Sequence, residues 1–129
     1  MLLDTADFAG TERHFQLAID ICDQVYPTHA AHCRGMLAVI CADRGEFNQA
    51  QALLDQGESQ VRNVDELELT SLLCRRVHVE MLAGNREAAR VALAEAETFA
   101  AALPERPEAA PDSALDRELR KAREALGSP

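Results

Sequence analysis

Apolar residues recur along the chain at steps of three and four, the spacing that lays a stripe along one face of an α-helix. Residues 11–25 carry Phe15, Ala18, Ile19, Cys22 and Val25 on such a stripe. Pro27 ends it, because the residue before a proline is pushed out of helical dihedrals. A second segment, 29–43, holds Cys33, Leu37, Ala38 and Cys41, with Thr28 as its expected cap and Gly45 as its stop. A third covers 46–60. A fourth follows Asn63, which with Glu66 fits a capping box, and carries Leu67, Leu69, Leu72, Leu73, Val77 and Met81 up to Gly84. A fifth runs over 86–103. Pro104, Pro107 and Pro111 then mark 104–112 as a polar linker. Ser113 and Asp116 open a last amphipathic helix, 113–127, with Leu115, Leu119, Ala122 and Leu126 on one face.

The glycine-led helices repeat one another. GEFNQAQALLDQG (45–57) aligns with GNREAARVALAEA (84–96), pairing Gly45 with Gly84, Ala50 with Ala89, Leu54 with Leu93 and Gly57 with Ala96. The first helix fits the same frame through Phe15 (matching Phe47), Ala18, Cys22 and Val25. Small residues at fixed intervals predict that another helix backbone comes close. Gly57 makes the point most directly, since a glycine inside a helix costs about 1 kcal/mol against alanine in intrinsic propensity.

Composition supports an all-α fold: Ala, Leu, Glu and Arg dominate, with no Trp and one Tyr in 129 residues. That length is one domain's worth. A net charge of −9 argues against nucleic acid, whose phosphates need Lys and Arg, and against an anionic membrane surface. The longest uncharged apolar piece, MLAVICA at 36–42, falls far short of the roughly 18 residues of a membrane span. MLLDTADFAG lacks the basic start and apolar stretch of a secretory leader. Cys22, Cys33, Cys41 and Cys74 lie in apolar helical pattern without a C-x-x-C pair, as reduced core thiols do. A cytoplasmic location is expected.

Helical repetition at spacings of 32 (Ala18 to Ala50) and 39 (Ala50 to Ala89) resembles the tetratricopeptide-repeat (TPR) family. Its first-helix and second-helix patterns are matched by Arg34-x2-Leu37-Ala38-x2-Cys41 with Ala50-x3-Leu54. They are matched again by Leu73-x2-Arg76-Val77-x2-Glu80 with Ala89-x3-Leu93. The family's Trp and Tyr are missing, and the first repeat has only ten residues before its second helix. The resemblance implies a helical-hairpin solenoid of about three repeats over 1–103, the first incomplete, closed by a capping helix at 113–127. Residues 66–126 resemble terminal TPR segments of bacterial signalling and regulatory proteins.

Enzyme motifs are absent: there is no G-x-S-x-G, phosphate loop or H-E-x-x-H, so no catalysis, cofactor or metal is expected. The one chemical rival is a metal or thiol site from Cys74 and His78, a helical turn apart, joined by His32. The resemblance implies a protein-interaction module, an adaptor in bacterial regulation or signalling, with a small type III secretion chaperone as the alternative. Its groove is expected to hold a partner polypeptide along His32, Met36, Val39 and Asp43. Ser71, Arg75, His78 and Leu82 are the counterparts after the 39-residue shift. Only Arg75 suits a carboxylate clamp, so an apolar-anchored segment fits better than an acidic chaperone tail. The truncated first repeat is expected to leave Phe15, Ile19 and Cys22 partly exposed, unless Leu2, Leu3 and Phe8 cover them. That patch suggests a homodimer or another contact through the N-terminal end.

Overall fold

The computed structural model describes residues 5–103 and 113–127, which form six α-helices and no strand. They are α1 (Thr5–Val25), α2 (Pro27–Asp43), α3 (Phe47–Val61), α4 (Glu66–Leu82), α5 (Arg86–Ala102) and α6 (Ala114–Leu126). The expected linker 104–112 and the expected cover from Leu2 and Leu3 lie outside the described residues. None of the helices is long and apolar enough to cross a membrane.

Two turns of the same construction fold the chain into hairpins. Gly45 and Gly84 adopt φ of 81° and 83°, a left-handed conformation that glycine takes without steric cost. The next amide in each turn reaches back to close the helix: Glu46 N–H donates to Cys41 O at 2.9 Å, and Asn85 N–H to Glu80 O at 2.8 Å. The result pairs α2 with α3 and α4 with α5. The hairpins stand side by side through α4, which packs against both α2 and α3. α1 lies against α2, and α6 against α4 and, less extensively, α5.

The core runs along this row of helices. Ala50 and Ala89 are fully buried at the helix contacts, as the small-residue pattern predicts. Gly57 is buried too, and a Cβ there would stand 3.3 Å from the Ala31 carbonyl of α2. Leu72 of α4 is fully buried against this junction. A Cβ placed on Gly35 of α2 would lie 2.6 Å from Leu72 Cδ2, and one on Gly57 of α3 would lie 3.4 Å from Leu72 Cδ1. One leucine therefore fills the space that two glycines on two helices leave open.

Arginines tie the helices across the same contacts. Arg34 of α2 donates to both Asp23 oxygens at 2.7 Å and to Gln60 of α3 at 2.6 Å, joining three helices. These hydrogen bonds from Arg34 hold the Asp23 carboxyl below its usual range. Arg76 of α4 donates to Glu58 at 2.6 Å and to Asp55, both on α3, and to Glu80 at 3.1 Å. Glu80 is buried and also accepts from Gln51 at 2.8 Å and Asn85 at 3.0 Å. Burial pushes the Glu58 carboxyl up while the Arg76 bond pulls it down, so this contact fixes geometry at an electrostatic cost.

Several ends differ from the pattern. α1 begins at Thr5, and Phe8 is buried in the core with its ring 3.9 Å from the Arg44 guanidinium carbon. α2 starts at Pro27, in the first turn where a missing N–H costs little, so Thr28 is inside the helix. Asp65 caps α4 by accepting from Glu68 N–H at 3.0 Å. Asn63 makes the preceding turn at φ 67°. Ser113 caps α6 as expected, accepting from Asp116 N–H at 3.1 Å.

A double-mutant cycle on Gly35 and Leu72 checks the packing. Gly35→Ala should destabilise by about 1–3 kcal/mol through overpacking, outweighing the helix-propensity gain of about 1 kcal/mol. Leu72→Ala alone should cost about 2–5 kcal/mol, and the double variant less than the sum, because the smaller side chain frees the space. Additive effects in denaturant melts would contradict the contact.

Candidate functional site

α2, α4 and α6 present one side chain row each to a common groove of about 640 Å³. α2 supplies Met36, Val39 and Ile40, and α4 supplies Cys74, Arg75 and His78. The expected residues Met36, Val39, Arg75 and His78 thus line one groove from two neighbouring helices, at positions related by the 39-residue shift. The third wall was missed. α6 contributes Glu118, Lys121, Ala122, Glu124 and Ala125, because it lies along α4 and does more than cover the end of α5. Its hydrophobic stripe was visible in the sequence, but the segment joining it to α5 leaves its docking place open.

The other expected residues separate. His32 and Ser71 line an adjoining cleft of about 520 Å³ with Glu68 and Leu115. Glu118 borders both spaces, accepting from Ser71 Oγ at 2.6 Å while lying 3.6 Å from Arg75 Nη2. His32 Nδ1 sits 3.3 Å from Glu68. Asp43 does not line the groove; its carboxylate is 3.1 Å from His78 Nε2. Leu82 lines neither space and is exposed, because the stripe continued into the last turn of α4 runs off the groove.

Arg75 is the polar centre of the groove. Its side chain crosses α2 where Gly35 leaves room, with Nη1 3.0 Å from where a Cβ would stand. Nη1 is buried without a hydrogen-bond partner, and its nearest carboxylate oxygen, on Glu68, is 3.9 Å away. The guanidinium is therefore under-satisfied, with Glu68 and Glu118 both beyond hydrogen-bond distance. Lys121, the only lysine in the chain, stands exposed on the opposite wall.

Cys74, His78 and His32 do not converge as a metal or thiol site. The two histidines face Asp43 and Glu68 instead. Burial pushes the Cys74 thiol up to about 12, with Glu118 adding to it, so the thiolate that would bind metal or attack a substrate is disfavoured. Among the described residues, Glu12, Cys41 and Glu46 do bring ligand atoms within 4.8 Å of one another. There too the thiol is pushed up to about 11, by burial first and then by the two carboxylates.

Protein-family models, curated proteins and solved structures compared with this chain give no match.

Thiol labelling checks the inert reading. At pH 8, iodoacetamide should modify Cys22, which is half-buried, well before buried Cys33, Cys41 and Cys74. All four should react once the protein is unfolded in urea. Native-state labelling of Cys74 as fast as Cys22 would reopen it as a reactive thiol.

Proposed function

We propose that this chain is a TPR-like, non-catalytic protein-interaction module that binds a partner polypeptide in the groove between α2, α4 and α6. In this reading α1 is the second helix of an incomplete repeat, α2/α3 and α4/α5 are the next two repeats, and α6 is the cap. The matching turns at Gly45 and Gly84, and the burial of Ala50 and Ala89 at equivalent places, support the repeat assignment.

The observation that carries the binding proposal is the groove's composition. Met36, Val39, Ile40, Ala122 and Ala125 give it an apolar lining, and the Arg75 guanidinium, held only loosely by Glu118 at 3.6 Å and Glu68 at 3.9 Å, is its polar centre. Such a surface suits a segment with apolar anchors and one acceptor to set direction. Met36, unbranched and partly exposed, repacks around differently shaped anchors at small cost. Arg75 orients the bound chain through a carboxylate or a backbone carbonyl.

Selection from a random peptide display library tests this. Enriched peptides should carry apolar anchors, and Met36→Ala and Arg75→Ala should each weaken them by about tenfold, about 1.4 kcal/mol. Val91→Ala, on an exposed position of α5, should leave binding unchanged. Equal binding to all three variants would move the site off the groove.

A further inference from the structure

Among the described residues, half of the exposed large apolar side chains fall at one end of α1: Leu17, Ile21, Val25 and the adjoining Tyr26. Leu17, Ile21 and Val25 form an i, i+4, i+8 row, exposed by 59%, 57% and 73%. The expectation had placed the open face at Phe15, Ile19 and Cys22. Ile19 is buried and the other two are half-buried, since that side of α1 faces α2.

The repeat frame shows what this row lacks. Positions 18, 21, 22 and 25 of α1 align with Ala50, Leu53, Leu54 and Gly57 of α3 and with Ala89, Ala92, Leu93 and Ala96 of α5. All eight residues in α3 and α5 are buried. In α1, Ile21 and Val25 are not. α3 and α5 each have a hairpin mate laid along them, α2 and α4, whereas among the described residues α1 has extensive contact only with α2, the first helix of the next hairpin.

We propose that this face of α1 docks an amphipathic helix of a partner protein, basic on its polar side, laid along α1 as α2 is laid along α3. The proposal rests on the repeat reading of α1 and is independent of the groove. Shape specifies a helix, because helices cover the positions in α3 and α5 equivalent to Ile21 and Val25. An i, i+4, i+8 row is also what helical partners read. Charge specifies its sign. The chain carries a net charge of −9, and Asp20 stands exposed beside the row, whereas the Asp23 carboxylate is taken by Arg34.

A second copy of this chain fits less well. Antiparallel pairing about Ile21 would set Leu17 on Val25, but it would bring the two Asp20 carboxylates together near the axis. Arg13 lies about two turns away and could not bridge them.

Two synthetic helices of about five turns test the proposal. Both carry the same Leu/Ala stripe; one has Lys and the other Glu on its polar face. Tyr26 supplies the signal, as the only tyrosine in a chain without tryptophan. The Lys peptide should bind and shield Tyr26 emission from acrylamide, and the Glu peptide should not. Ile21→Glu, at an exposed position that leaves the core intact, should weaken the Lys peptide by at least about tenfold. Met36→Ala should leave it unchanged, which separates this face from the groove. Equal binding of both peptides, or no effect of Ile21→Glu, would overturn the proposal. So would sedimentation showing a dimer of the protein alone that Ile21→Glu dissociates.

Discussion

Leu72 is the side chain on which the relative placement of the helices turns. It is fully buried, and its two methyl groups press on α2 at Gly35 and on α3 at Gly57. Any larger residue at Gly35 would move α4 outward, and α4 is the helix that α2, α3, α5 and α6 all touch. Interiors packed this closely do not absorb an added methylene without displacing something. The placement of α4 against α2 and α3 is therefore set by two missing side chains and one large one.

Two consequences reach the surface from that junction. Arg76, on the α3 side of α4, comes within reach of Asp55 and Glu58, and buried Glu80 collects the donors that close the α4–α5 turn. Such contacts add little net energy where charges are buried, but they restrict how α4 can rotate. On the other side, Arg75 passes over Gly35 and enters the groove with one nitrogen unbonded. The same glycine that admits Leu72 admits Arg75, so the packing of α4 and the lining of the groove share one position. α6 completes the wall through Glu118, held by Ser71, and through Arg123 on Glu97 of α5.

How much of this was legible depended on whether the determining interaction was local. Gly45 and Gly84 announced their turns because only glycine takes that backbone freely, and the Ser113 cap followed from residues three apart. Asn63 and Asp65 are both capping types, and only the backbone path decides that Asp65 accepts while Asn63 makes the turn. Gly35 gave no signal at all: its importance comes from Leu72, 37 positions away, pressing on it from another helix. The groove was half legible. A constant shift carried Met36 and Val39 onto Arg75 and His78, whereas α6 does not share the pattern of α3 and α5, so its wall could not be placed. On α1 the stripe was seen but its rotation was not. Phe8, beyond the expected start of the helix, packs in the core, where Ile19 is also buried.

The central claim is that α4 is the fixed member of the row and α1 its open end. Native-state hydrogen exchange reads this directly, since amides exchange by local opening where few buried contacts resist it and only by global unfolding where many do. The account predicts that the slowest amides lie in α4 around Leu69 to Val77, with α2 and α3 next. The Leu17–Val25 half of α1 should exchange fastest among the five helices before α6. Exchange in the middle of α4 as fast as in α1 would contradict it.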